Sequence, residues 1–137
     1  MNHGSRRGGG FSLVELLIAL AVVVILAGIA LPSYLEFVRR GWRSEARSAL
    51  TAQMQLQERH FTAEGRYRPY EGGSGEGGGR YAIRSGACED HDSLDDCVLL
   101  RAVLRPGLRD PAVGGLWLDS MGRKGCDGAR PEPCWDR

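Results

Sequence analysis

Two hydrophobic patterns follow one another in the first half of the chain. From Leu16 to Leu31 no side chain is polar, and from Phe11 onward only Ser12 and Glu15 interrupt the apolar run of 21 residues. That length matches the ~20 residues that a helix needs to cross the hydrocarbon core of a bilayer. The run therefore predicts a membrane-spanning helix over residues 11–31.

Beyond Pro32, apolar residues recur at helical spacing as far as about Thr62. One face of a 3.6-residue period collects the apolar side chains, which are Trp42, Ala46, Ala49, Leu50, Leu56 and Phe61. This pattern predicts an amphipathic helix over 32–62 whose apolar face packs on a sheet. His60 falls on the same face, where we interpret it as a buried, hydrogen-bonded histidine and not as a ligand.

Short strand-like segments follow in the C-terminal half. The candidates are Tyr81–Ser85, Cys97–Leu104 and Leu116–Ser120, and a turn at 120–123 leaves room for a short fourth strand. We therefore predict an α+β fold, in which a long N-terminal helix packs on a small antiparallel sheet within a head domain over 63–137.

A glycine-rich segment, 71–80, separates the predicted helix from the sheet. Gly73, Gly75 and Gly78 satisfy G-x-G-x-x-G, but the pattern predicts neither a strand before the motif nor a helix after it, as a dinucleotide site requires. We interpret 71–80 as a mobile loop.

Charge and cysteine content narrow the class of protein. The net charge is +1, and removing the first ten residues with Arg6 and Arg7 leaves −1, so a broad basic surface for nucleic acid is absent. An even number of cysteines in a small domain behind a membrane segment indicates disulfides and an oxidising compartment. Four cysteines allow three connectivities; proximity in the sequence favours Cys88–Cys97 and Cys126–Cys134.

The segment between Cys88 and Cys97 is acidic. Asp90, Asp92 and Asp95 are candidate oxygen ligands for calcium, and Cys88 with His91 would begin a zinc site, but neither set has full ligand spacing. We interpret 89–96 as an exposed acidic loop and predict no metal and no cofactor. The sequence also lacks a Ser–His–Asp signature, and we predict that the protein is not an enzyme.

Glu15 is the unusual residue of the apolar run. A carboxylate in the middle of a membrane helix costs about 2.5–3.5 kcal/mol, so it indicates a function. No Lys or Arg lies within the run, but cleavage between Gly10 and Phe11 would create an α-amine that can pair with Glu15, within one chain or between two. A cleaved secretory signal, with its site near Ala27–Ala30, and a plain signal anchor are the alternatives. The charge in the apolar core and the continuing helix argue against the first.

The sequence "GFSLVELLIAL" behind a short basic leader resembles the N-terminus of type IV prepilins. The resemblance implies that a prepilin peptidase removes residues 1–10 by cutting after Gly10, that Phe11 is N-methylated, and that Phe11 and Glu15 direct assembly. It also implies that the helix continues past the proline, with Gly28 to Pro32 acting as a hinge.

The stretch "RRGWRSEARSALTAQMQLQERHFTAEGRY" resembles minor pilins of the PilE type. The likeness is clear from Gly10 to Tyr67, weakens beyond it, and partly returns at "GLWLDSMGRK" and at the terminal Cys134-Trp135. Relatives often carry a cysteine beside the Asp-Pro at 110–111, where this chain has Ala112 and Val113. That departure supports Cys126 as the partner of Cys134.

The resemblance implies a minor pilin of a type IV pilus, serving motility, adhesion or DNA uptake. The implied partners are the prepilin peptidase and N-methyltransferase, the major pilin, other minor pilins and the assembly platform of the inner membrane. We expect a single-pass inner-membrane protein with a periplasmic C-terminus that later enters the surface pilus. The arginines flanking the span do not decide the orientation, because both sides carry them.

Two alternatives stay open. A type II secretion pseudopilin shares every N-terminal feature. A pilus-tip module that binds DNA or a surface is the second alternative, for which the candidate phosphate contacts are Arg80, Arg84, Arg101, Arg105 and Arg109.

Overall fold

The computed structural model describes residues 10–128 and 134–135. Its elements, in chain order, are α1 (Leu13–Glu64), β1 (Glu71–Gly73), a 3₁₀ turn (Glu76–Gly78), β2 (Tyr81–Ala87), β3 (Val98–Leu104), β4 (Gly115–Asp119) and β5 (Lys124–Asp127). The predicted α+β class is confirmed. The chain divides between Phe37 and Val38 into two compact units, which are described separately.

The first unit is the apolar part of α1. It is long and apolar enough to cross a membrane, and its side chains are exposed throughout residues 10–35. The helix does not end at Pro32, since α1 runs unbroken through the proline to Glu64. The predicted continuation of the helix past the proline is therefore confirmed, and the hinge at Gly28 to Pro32 stays a prediction.

The second unit contains the sheet and the remainder of α1. The five strands form one antiparallel meander in the order β1-β2-β3-β4-β5, so each strand pairs with its neighbour along the chain. The predicted strands agree with β2, β3 and β4 within two residues, and β5 is the predicted short fourth strand. Alternation along β3 buries Val98, Leu100 and Ala102 on the inner face.

The helix contributes most of the predicted face to this core, because Ala46 and Leu50 are buried and Trp42, Ala49 and Phe61 pack against the core partly buried. Its buried residues are Arg43, Ala46, Leu50, Met54 and Gln57. Leu56, which we placed on the buried face, is 55% exposed. The prediction was wrong for Leu56 because Arg43 and Gln57, the polar residues at the two ends of the buried face, are buried with hydrogen-bond partners outside the helix. No local hydrophobic pattern reveals such partners.

His60 is half-buried near the end of α1. Its Nδ1 lies 2.9 Å from the carbonyl oxygen of Arg66, which only accepts, so Nδ1 carries the hydrogen. Its Nε2 lies 3.2 Å from Glu64.

The glycine-rich segment 71–80 was predicted as a loop, and this was wrong for part of it. Glu71–Gly73 forms strand β1, which pairs with β2 in the register Glu71 to Arg84, and a 3₁₀ turn follows it. Ser74 extends the pairing, since its backbone N–H donates to the Tyr81 carbonyl at 3.0 Å. Long-range pairing with β2 thus overrides the low strand propensity of glycine.

Two disulfide bonds close short loops of the head domain. Disulfide bonds join Cys88 to Cys97, enclosing the acidic loop, and Cys126 to Cys134, linking Cys134 to β5. The Trp135 indole N–H then donates to the Gly125 carbonyl at 2.9 Å, and Arg47 of α1 donates to the Trp135 carbonyl at 3.1 Å.

Candidate functional site

The predicted processing and assembly residues lie at the start of α1. Gly10 and Phe11 precede the helix, and Glu15 lies in its first turn. The first N–H groups of a helix lack intrahelical partners and carry partial positive charge, so a carboxylate there stabilises the helix end. Phe11 is 77% exposed.

The helix behind Glu15 presents apolar side chains on all sides. Between Leu13 and Leu31 the large apolar side chains are 49–73% exposed. A soluble monomer does not tolerate a continuous apolar surface of this length, so this segment requires lipid or the helices of other subunits around it.

A buried ion pair connects the second half of α1 to the β3–β4 connection. Arg43 donates from Nε to Asp110 Oδ2 at 2.7 Å and from its terminal nitrogen to Oδ1 at 2.9 Å, a bidentate geometry. Burial alone would raise the pKa of Asp110. The Arg43 hydrogen bonds and charge and the N–H groups of Ala112 and Val113 outweigh it, so this pKa is lowered. The pair therefore remains ionised at neutral pH.

The same environment acts on Tyr81, whose hydroxyl is buried beside the pair. Burial, reinforced by the Asp110 charge, raises the pKa of Tyr81 to about 12. The phenol is therefore neutral over the whole physiological range.

A second carboxylate of α1, Glu45, fixes the segment between β1 and β2. Its oxygens accept from the Ser74 hydroxyl at 2.5 Å and from the backbone and side chain of Arg80 at 3.2 and 2.6 Å. Burial tends to raise the pKa of Glu45, but these hydrogen bonds and the Arg80 charge lower it overall. Gly79, with φ +60°, lets the backbone approach closely, because a Cβ there would lie 2.8 Å from a Glu45 oxygen.

Most of the arginines predicted as phosphate contacts are already bound within the chain. Arg80 pairs with Glu45 and Arg84 with Glu71. Arg101 pairs with Asp127, and Arg105 donates to the Gly78 carbonyl. Within residues 10–128 and 134–135, Arg109 alone of the five has no such partner.

The acidic loop 89–96 is attached to the β4–β5 turn. Arg123 donates to Asp90 and Asp119, both at 2.6 Å. Its hydrogen bond to Asp90, together with its charge, lowers the pKa of Asp90. The described part of the chain brings no three His, Cys, Asp or Glu side chains together in an arrangement suited to a metal ion.

The sequence reasoning missed Arg43, Glu45 and Asp110 as structural partners. A signal existed for Arg43, which stands three residues before Ala46 and seven before Leu50 and so lies on the buried face of the helix. No local signal indicated that Asp110, 67 residues away, supplies the matching charge.

A membrane-length apolar helix that continues into a small disulfide-bonded α+β head defines the pilin class of filament subunits. Comparison with known proteins identifies the family. Residues 32–102 match the family model described as type IV minor pilin ComP, DNA uptake sequence receptor, and residues 5–31 match the prokaryotic N-terminal methylation motif. The chain belongs to the type IV pilin family, and the predicted resemblance is confirmed.

Individual relatives agree with this assignment. The chain is 36% identical over 96 residues to the type IV major pilin protein PilA of Myxococcus xanthus, covering 65% of this chain and 44% of that protein. It is 54% identical over 37 residues to the fimbrial protein EcpC of Eikenella corrodens, covering 27% and 24% of the two chains. The chain thus spans less than half the length of these curated relatives.

A solved structure, a type IV pilin from Shewanella oneidensis, shares the fold. It superposes with a TM-score of 0.52 at 24% sequence identity, covering 72% of this chain and 98% of that one. This similarity supports the arrangement of helix and sheet in the head domain.

Proposed function

We propose that this chain is a minor structural subunit of a type IV pilus. In this proposal a prepilin peptidase cuts between Gly10 and Phe11 and Phe11 is N-methylated. Before assembly, the chain resides in the inner membrane with its C-terminus in the periplasm. The observation that carries the proposal is the exposed apolar surface from Leu13 to Leu31, which lacks any covering partner within the described chain.

Assembly would use the charge chemistry at the start of α1. The α-amine of Phe11 in one subunit pairs with Glu15 of its neighbour, and the apolar helices pack side by side. An unpaired carboxylate in an apolar environment is costly, so neutralisation by the neighbouring amine favours one register of subunits.

The test replaces Glu15 in the full-length chain expressed in its native host. We expect Glu15→Ala to be cleaved normally after Gly10 yet to be absent from sheared pili, as measured by mass spectrometry of the membrane and pilus fractions. Ser12→Ala, which alters a polar side chain in the same segment, is the matched control and should enter pili normally. Incorporation of Glu15→Ala at the wild-type level would refute the pairing.

Abundance and location distinguish a minor pilin from its alternatives. Quantitative mass spectrometry of sheared pili should find this chain at a small fraction of the major subunit. A chain that forms most of the filament would instead be a major pilin. Loss of protein secretion on deletion, without presence in surface pili, would indicate a type II secretion pseudopilin.

DNA reception is a second candidate function, favoured by the match of residues 32–102 to the family model whose description names a DNA uptake sequence receptor. The five arginines first considered are mostly paired with acids. Arg59 and Arg66, near the end of α1, are exposed and have no carboxylate within 4.0 Å in the described part of the chain. They are the better candidates for phosphate contacts.

A salt-dependent mobility shift of duplex DNA with the mature chain in detergent tests this candidate. Arg59→Glu with Arg66→Glu should abolish the shift. Arg84→Glu, whose native side chain is exposed and paired with Glu71, is the control and should retain most of it. No shift at low salt would remove DNA binding from consideration.

A further inference from the structure

The outer face of the sheet carries a partly buried tryptophan, Trp117. The strand registers place Arg101 of β3, Trp117 of β4 and Gly125 of β5 in one row on the face opposite the core. The indole lies against Gly125, since a Cβ there would come within 2.6 Å of a ring carbon. The absence of a side chain at Gly125 lets the indole ring approach the backbone of β5 closely.

Trp117 lines a small open cavity beside the first disulfide loop. Its volume is about 90 Å³, and its walls include Glu89, Leu99, Arg101, Asp119 and Arg123. Sites for small molecules usually occupy about 300–1,000 Å³, so this cavity is too small for one of them. The space suits the head group of a single side chain.

The charges around the cavity favour a cation. Its two arginines are already bound, Arg101 by Asp127 and Arg123 by Asp90 and Asp119. Glu89 adds an exposed carboxylate to the wall. Glu89 and Asp119 line the cavity with the two arginines, and Asp90 and Asp127 bind those arginines from outside the lining. Four carboxylates thus surround two guanidinium charges, and an incoming phosphate or carboxylate would meet an excess of negative charge.

The other two tryptophans of the chain, Trp42 and Trp135, each make a cation–π contact within the chain. The Arg80 guanidinium carbon lies 5.8 Å from the centre of the Trp42 ring, and Lys124 Nζ lies 5.5 Å from that of Trp135. No Arg or Lys of the described residues lies over Trp117 in this way. The indole face is the strongest side-chain partner for such cation–π contacts.

We propose that the Trp117 cavity is a docking site for one arginine or lysine side chain of a protein partner. The cation would stack on the indole, while Glu89 contributes the opposite charge at the rim. This contact lies on the head domain and is independent of the helix contacts proposed for filament assembly.

The test is an NMR titration of the ¹⁵N-labelled mature chain in detergent micelles. The probe is the capped tripeptide acetyl-Gly-Arg-Gly-amide, and the matched control is its neutral citrulline analogue. We expect the Trp117 indole N–H signal to shift and saturate at millimolar arginine peptide, with no saturable shift from the citrulline peptide. Added salt should weaken the binding.

Three variants locate the site. Glu89→Gln should weaken binding about two- to five-fold, as expected for the loss of one exposed ion pair, whereas Trp135→Phe should leave it unchanged. Trp117→Leu, followed through the Gly125 amide, should abolish it; if that variant loses its fold, Glu89→Gln decides. Equal shifts from both peptides, no shift at all, or a Trp117 shift caused only by a DNA oligonucleotide or a neutral hexose would each overturn the proposal.

Discussion

Removing one partner of the Arg43–Asp110 pair should destabilise the head domain strongly. The Arg43 side chain is 9% exposed and that of Asp110 is fully buried. Each of the two charge-assisted hydrogen bonds contributes ~1.5–3 kcal/mol, and leaving one buried charge unpaired costs about 3–5 kcal/mol in comparable proteins. Because the free energy of unfolding of native proteins is only about 5–15 kcal/mol, Asp110→Ala should remove a large part of the stability.

The assay is denaturant unfolding of the mature chain in mild detergent, followed by near-ultraviolet circular dichroism of the head domain. We expect Asp110→Ala to lower the free energy of unfolding by about 3–5 kcal/mol. The matched control is Arg84→Met, which breaks the Arg84–Glu71 pair with both side chains more than 70% exposed and should cost less than about 1 kcal/mol. A double-mutant cycle of Arg43→Met and Asp110→Asn should give a coupling energy of about 2–3 kcal/mol.

The pH dependence provides an independent check. The pKa of Asp110 is lower in the folded chain than in the unfolded chain, so its contribution to stability is complete above the unfolded pKa of about 3.9. That contribution is lost as the pH falls further, through the folded pKa. The stability of the Asp110→Asn variant should therefore vary less with pH below about 4 than the stability of the wild-type chain. A loss in Asp110→Ala no larger than in Arg84→Met would refute the reasoning.

Three further predictions concern the loops and disulfides of the head domain. Glu45→Gln should accelerate amide hydrogen exchange at Ser74 and Arg80 with little change on β3, because the carboxylate holds both residues; exchange rates equal to wild type would contradict this. Replacing Cys88 and Cys97 by alanine should cost about 2–3 kcal/mol, since the bond constrains the unfolded chain. Peptide mapping without reduction should find Cys88 with Cys97 and Cys126 with Cys134, and any other pairing would contradict the structure.

The sequence alone determined the N-terminal half of this protein. The length of the apolar run from Phe11 to Leu31, the carboxylate of Glu15 and the glycine before Phe11 are local features, and their chemistry does not depend on the rest of the fold. Strands β2, β3 and β4 were predictable for the same reason, because alternating apolar and polar residues, as along β3, indicate which side of the strand faces the core.

The tertiary structure decided the contacts that define the head surface. Arg43 is buried because Asp110 arrives from 67 residues away, and β1 forms because β2 provides its hydrogen-bond partner. The surroundings of Trp117 likewise depend on strand register, which brings Gly125 beneath the ring. These features come from pairings between distant segments, whose energies do not appear in any local pattern of hydrophobic and polar residues.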